Sequence, residues 1–317
     1  MAEPTVIIWT DADRVRLVAE VLDRMGSAVR AVGIGGPRHA AVAQLAQDHH
    51  CPSCDDFRKL MVEGSAGFVL LATWRGVSRA ELASGVDPGA VVLALEPPLT
   101  AALPAALPRL VPMPAFTAAA GWTAAADPAD VLGEPQLIRF TSLGAKDDWS
   151  LLARLYDAWQ TVVHLADLPE TIDASLTGPL GQVPDDLRGL TGHLAAHARL
   201  PGRTENAAAV LELSDRVGPH RRSLHVIATE AQWHVDDLGY QLRRPDGHLL
   251  DEHRPARPAI GLADLITAQW QGLLGQGALR PAPDHAAILA CCQATRLSAH
   301  TGQPESPLKL LEMEQLA

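Results

Sequence analysis

Thr5-Val-Ile-Ile-Trp-Thr10 is a short run of apolar and β-branched residues, and directly behind it Val15, Val18, Leu22 and Met25 recur at helical spacing within residues 13–25. The pair reads as a strand and a helix, with Gly26 ending the helix. The unit then repeats. Residues 29–34 predict a second strand, and Gly35-Gly36-Pro37 leads into a helix over about residues 38–47. Residues 57–62 predict a short helix, 67–73 a buried strand, 78–84 a helix and 90–95 another strand. Strands alternating with helices at this pace imply a Rossmann-like, doubly wound parallel sheet with right-handed crossovers.

Over residues 99–135 the pattern weakens into Ala- and Pro-rich sequence carrying Pro104, Pro108, Pro112, Pro114 and Pro128. This reads as the passage between domains, expected over residues 1–120 and 121–317. Residues 136–143 predict a strand and 149–165 an apolar helix, after which strand-like segments follow in series over 171–176, 189–200, 206–213, 223–229, 232–235 and 240–243. Asp246-Gly247 marks a hairpin turn, and helices over 262–274 and 284–301 close the chain. The second half is therefore expected to be an α+β domain with a large, mostly antiparallel open sheet. That sheet is too extensive for the closing helices to cover. It predicts a homodimer or dimer-based tetramer that buries an otherwise exposed apolar face.

A hydrophobic fraction of 47% with 20% charged residues is that of a globular chain. With 37 acidic against 26 basic residues the net charge is -11, and Arg221-Arg222 and Arg243-Arg244 are too short to form a phosphate-tracking surface. Nucleic-acid binding is not expected. No run approaches the roughly 18 apolar residues of a membrane span and no signal-peptide pattern opens the sequence, so a cytoplasmic protein without membrane contact is expected. The four cysteines fall as close pairs, Cys51 with Cys54 and Cys291 with Cys292, which suggests no disulfide scaffold. His49-His50-Cys51-Pro52-Ser53-Cys54 has the spacing of half a metal clip, but structural zinc sites draw ligands from two separated segments. It reads as a loop before the third strand, and no metal site is assigned.

Four stretches resemble the Gfo/Idh/MocA oxidoreductase family. Phe68-Val-Leu-Leu-Ala-Thr73 resembles the family's fourth strand, and Val91-Val-Leu-Ala-Leu-Glu96-Pro-Pro98-Leu99-Thr100 its strand ending in Glu-Lys-Pro. Residues 29–46 resemble the second strand and helix, and residues 287–304 the closing helix with its Ser-x-x-Thr-Gly-x-Pro tail, here Ser298 to Pro304. The resemblance implies NAD(P)-dependent oxidation or reduction of a sugar, cyclitol or related polyol. By that resemblance the cofactor would meet Thr10, Arg14, Gly35, Gly36, Arg38, Ala72, Thr73, Glu96 and Pro97.

The residues at those places depart from the family pattern. A dinucleotide loop needs glycines so that backbone N–H groups can approach the pyrophosphate, and residues 10–16 contain none. Asp11 and Asp13 instead suit helix capping and put negative charge where the ligand is negative. A small residue at Gly35 or Gly36 followed by Arg38 is compatible with NADP rather than NAD, and equally with a plain turn in which Pro37 opens the helix. Pro97 and Pro98 stand where the family's lysine would be, and proline transfers no proton. On the helix over 149–165 the family's Asp and His positions fall near Ala153 and Asp157. Tyr156, Asp157, Gln160 and His164 remain as its polar groups, and Tyr156, Asp157 and His164 are the candidate acid/base residues. Two expectations stand side by side: a divergent oxidoreductase using those residues, and a non-catalytic member that binds a small molecule or serves as a partner subunit. The histidines at 193, 197, 220, 225, 234, 248 and 253 mark either a polar substrate-facing sheet or an oligomer surface.

Overall fold

A computed structural model describes residues 3–98, 109–125, 131–179, 181–201, 207–255, 260–275 and 283–315. Leu99 and Thr100 of the strand motif, and much of the Ala-rich passage, lie outside these residues. The chain forms two compact units, Met1–Pro114 with Leu262–Ala282, and Ala115–Gly261 with Pro283–Ala317. The boundary expected after residue 120 thus lies at 114, and the first closing helix, α7 (Leu262–Gly275), joins the first unit rather than the second. Its contacts explain why. Arg24 on α1 (Val15–Met25) donates from Nε to Asp264 at 2.9 Å, and the fully buried Trp270 meets the Phe68 ring with centroids 6.2 Å apart.

In the first unit β1 (Thr5–Trp9), β2 (Arg30–Gly35), β3 (Ser53–Cys54), β4 (Phe68–Leu71), β5 (Val91–Ala94) and β6 (Arg109–Pro112) form one parallel sheet in the order β3-β2-β1-β4-β5-β6. Val6 to Trp9 are all buried, as expected of a central parallel strand covered on both faces. The helices α1, α2 (Ala40–Asp48), α3 (Phe57–Glu63) and α4 (Arg79–Gly85) connect the strands. β6 was hidden in the Pro-rich passage, and it lies at the sheet edge, where a missing N–H is tolerated.

The second unit opens with the short helix α5 (Ala120–Ala124) and holds an eight-stranded sheet. Its strands are β7 (Pro135–Ala145), β8 (Thr171–Thr177), β9 (His193–Leu200), β10 (Ala207–Ser214), β11 (Arg216–Ala228), β12 (Gln232–Asp236), β13 (Tyr240–Arg243) and β14 (Leu249–His253). The order is β14-β13-β12-β11-β7-β10-β9-β8, antiparallel except where β10 runs parallel to β7. Helix α6 (Leu151–Ala166) packs on β7 and β10 and against α8 (His285–Thr301). The Asp246-Gly247 turn joins β13 to β14, with Gly247 at φ +89°. The Ser298 to Pro304 tail has a structural cause. Ser298 Oγ accepts from Ala174 N at 2.9 Å, Gly302 ends α8 in the left-handed conformation, and Glu305 pairs with Ile172 before α9 (Pro307–Gln315).

The outward face of this sheet mixes polar and apolar residues. β9 alternates so that His193 and His197 are exposed while Leu194, Ala196, Ala198 and Leu200 are buried. Arg139, Arg221 and His234 likewise point outward and exposed on their strands. Leu137, Leu143, Val210 and Ile227 share this face by the same alternation and are half-buried. Among the described residues no helix is long and apolar enough to cross a membrane.

Candidate functional site

In the first unit, the residues that the resemblance assigns to a cofactor follow the C-terminal ends of β1, β2, β4 and β5, on either side of the point where strand order reverses. This is where open α/β sheets bind ligands. Thr10 is fully buried, and its N–H donates to Gly35 O at 2.8 Å. Gly36 presses on the same strand end, since a Cβ there would come within 1.7 Å of Thr10 O. Ala72 N donates to Trp9 O at 2.8 Å, and Thr73 Oγ1 accepts from Arg75 N at 3.2 Å. Arg38 stands apart, its exposed side chain paired with Asp55 at 2.8 Å.

The charged groups at this edge are mutually engaged. Arg14 Nη2 meets Glu96 Oε1 at 2.5 Å, an ion pair whose side chains are only 11% and 18% exposed. Pro97 and Pro98 behind it are buried. Asp11 and Asp13 do not cap α1 as expected. The N-cap is Arg14, without a side-chain cap bond, and Asp11 contributes only its backbone carbonyl, to Arg14 N and Val15 N at 3.1 Å each. Both carboxylates instead lie 3.5 Å from Arg75 Nη1, while the buried Oδ1 of Asp11 has no hydrogen-bond partner among the described residues.

In the second unit, α6 does not gather Tyr156, Asp157 and His164 into one site. Tyr156 turns toward α8, where its hydroxyl bonds to His285 Nδ1. Burial, with Cys292 and Asp284 nearby, pushes the phenol well above its ordinary pKa, so it stays protonated. His164 packs on the Trp122 ring at 5.6 Å. Asp157 is buried inside the unit, with Oδ1 accepting from Phe116 N at 2.7 Å and Oδ2 from Arg222 Nη1 at 2.8 Å. Burial pushes its carboxyl up, and Arg222 and the Phe116 N–H oppose that shift.

Asp157 belongs to a larger buried network that the sequence did not reveal. Arg222 also donates from Nε and Nη2 to Asp237 Oδ1 at 3.0 and 2.6 Å, and its guanidinium lies over the Phe116 and Trp149 rings at 5.4 and 5.5 Å. Arg154, one turn before Asp157 on α6, is fully buried and bonds to Ser142 Oγ, Ala145 O and His220 Nδ1. Gly144 makes room for it, because a Cβ there would sit 2.3 Å from Arg154 Nη2. Arginine only donates, so His220 Nδ1 must be the accepting nitrogen and Nε2 carries the proton. Burial, followed by Arg222 and Arg154, holds His220 well below its ordinary pKa. Arg154 and Arg222 balance Asp157 and Asp237 around a neutral imidazole. A signal existed: His220 and Arg222 share the two-residue period of Leu224 and Val226, which puts both on the buried face. Among the described residues no three of His, Cys, Asp and Glu converge as metal ligands, and Cys54 Sγ bonds to Asp56 O.

A doubly wound parallel unit in the order 3-2-1-4-5-6, joined to a mostly antiparallel eight-stranded open sheet, is the two-unit fold of the Gfo/Idh/MocA oxidoreductases. Solved structures with this fold match nearly end to end. An oxidoreductase from Agrobacterium radiobacter in complex with NAD+, L-tartaric acid and magnesium is 13% identical, with a TM-score of 0.68 over 98% of this chain and 100% of that one. UDP-N-acetylglucosamine 3-dehydrogenase from Acidithiobacillus ferrooxidans is 15% identical, with a TM-score of 0.68 over 94% and 97%. Levoglucosan dehydrogenase with NADH and levoglucosan is 13% identical, with a TM-score of 0.68 over 96% and 98%. No protein-family model and no curated protein sequence matches the chain.

Proposed function

We propose that this protein keeps the Gfo/Idh/MocA fold without the family's hydride-transfer chemistry and acts as a non-catalytic small-molecule-binding or partner subunit. The observation that carries this reading is Asp157. It is the acidic group nearest the family's catalytic positions on α6, and both its oxygens are taken by Phe116 N and Arg222 inside the protein. A general acid or base must reach the proton it moves, and a carboxylate held this way reaches none outside its own network.

The first unit supports the same reading, because a nicotinamide dinucleotide does not fit the residues present. The loop after β1 lacks glycine, Asp11 and Asp13 set two carboxylates where phosphate would approach, and Glu96 already engages Arg14. Asp11 and Asp13 share the single Arg75 guanidinium, and the excess negative charge repels an anion. A panel of sugars, cyclitols and polyols with NAD or NADP, read at the nicotinamide absorbance, should give no turnover above the protein-free rate.

A second reading is NAD(P)-linked oxidoreduction of a sugar, cyclitol or related polyol. One observation favours it: full-length likeness to enzymes whose names carry NAD, NADH and sugar substrates. Turnover in the panel that Tyr156→Phe, Asp157→Asn or His164→Ala abolishes, with the fold intact, would establish it over the first.

A further inference from the structure

Trp9 is the last residue of β1, and strand register sets it between Gly35, the last residue of β2, and Leu71, the last residue of β4. With Ile7 it lies on the face of the parallel sheet that Phe57, Leu60 and Met61 of α3 and Leu82 of α4 cover. The residue is 1% exposed. Its ring meets Phe57 edge-on, with centroids 5.3 Å apart, and Nε1 donates to Arg75 O at 2.8 Å in the turn after β4.

The glycines beside the indole leave it room. A Cβ on Gly35 would stand 3.0 Å from Trp9 Cζ3 and 2.4 Å from Cys54 O, and one on Gly76 would stand 3.4 Å from Trp9 Cζ2. Gly76 sits at φ +73°, a conformation that glycine takes at no steric cost, in the same turn that brings Arg75 O to the indole. Glycine in a strand often marks the close approach of a ligand or another chain segment. Here the approaching group is a side chain of the same unit.

Where the ring lies gives it a consequence. Open α/β sheets take ligands in the crevice outside the carboxyl ends of the strands, where the strand order reverses. The order reverses between β1 and β4. Gly35, Phe57, Arg75 and Gly76 end or follow strands at that edge, so the indole is walled by the segments that border the crevice. A dinucleotide site has a turn glycine after the first strand and an acid for the ribose after the second. Trp9 and Gly35 stand at those two strand ends, and their contact makes them one packing solution, in which the large side chain on β1 needs the missing one on β2.

We propose that Trp9 is a built-in occupant of this crevice, its indole taking the place of a planar heteroaromatic ligand of the purine class and barring such a ligand from the unit. The inference rests on the non-catalytic reading and names a residue that enforces it. Asp11 and Asp13 act against phosphate, whereas Trp9 acts against the ring, so an uncharged nucleoside is excluded too.

The test uses the full chain, the variants Trp9→Ala and Trp9→Leu, and two uncharged probes, adenosine and indole, read by thermal melting. Losing the buried indole should lower the melting temperature of Trp9→Ala on the order of 10 °C, and that of Trp9→Leu by less. Adenosine should then raise the variants' melting temperature saturably, by about 3–6 °C at tenfold its Kd, and leave the parent's unchanged. A variant that does not fold alone should regain native circular dichroism in millimolar adenosine. The proposal is overturned if neither variant responds to adenosine, or if the parent responds as strongly. It is also overturned if indole alone acts, since the space would then be a void of the core and not a ligand crevice. Variants blind to adenosine in a parent blind to NAD would sink this inference alone, whereas NAD binding by the parent would sink the reading beneath it.

Discussion

Replacing Asp157 with alanine separates a structural carboxylate from a catalytic one. The substitution leaves Arg222, whose side chain is 0% exposed, with Asp237 as its carboxylate partner, and strands the Phe116 N–H that Oδ1 accepted at 2.7 Å. Breaking a buried pair from one side typically costs about 3–5 kcal/mol, of which the orphaned amide accounts for about 1–3. Against a total stability of about 5–15 kcal/mol, that is a large loss. With about 2–4 °C of melting temperature per kcal/mol, the drop should be on the order of 10 °C. The assay is thermal and urea denaturation of the parent, Asp157→Ala, Arg222→Ala and the double variant. Residues in direct contact should show a coupling energy of about 0.5–3 kcal/mol. A melting temperature for Asp157→Ala within about 2 °C of the parent, or a coupling near zero, would refute the argument and return Asp157 to the list of available catalytic groups.

His220 makes stability depend on pH in a stated direction. Its folded pKa is depressed, so below the unfolded value of about 6.5 the unfolded chain binds the extra proton. The contribution is therefore complete above about pH 6.5 and is lost as pH falls, by about 1.4 kcal/mol per pH unit. Denaturation of the parent minus that of His220→Gln, measured through this range, should isolate the slope; equal slopes would contradict it. We also propose a homodimer or dimer-based tetramer through the second unit's sheet, on a face that mixes charged and apolar residues. Light scattering giving only a monomer mass at micromolar concentration would exclude it, and a salt-sensitive dimer is the expected result, because exposed charge pairs are screened.

The fold was largely legible because its signals are local and redundant. The run from Thr5 to Thr10, the periodic apolar positions after it and the Asp246-Gly247 turn each report on a few neighbouring residues. β6 and α5 were not legible, since the Ala- and Pro-rich passage carries no periodicity and their pairing is tertiary. The candidate site was legible only in composition. The missing glycines after β1 and the prolines at 97 and 98 could be read directly, whereas Asp157 looked available because its partners are remote in sequence. Phe116 lies 41 residues away and Arg222 65. Arg221-Arg222 read as a short basic cluster, while strand alternation sends Arg222 into the core and Arg221 to the outward face.

The proposed loss of cofactor chemistry is tested most directly by calorimetric titration of NAD and NADP into the full chain at neutral pH. Asp11 and the Arg14–Glu96 pair predict no saturable heat from either dinucleotide at concentrations up to about 1 mM, where binding would be worth about 4 kcal/mol. A one-to-one isotherm with a low-micromolar constant for either would contradict this, because the edge of the sheet would then accept phosphates beside its carboxylates.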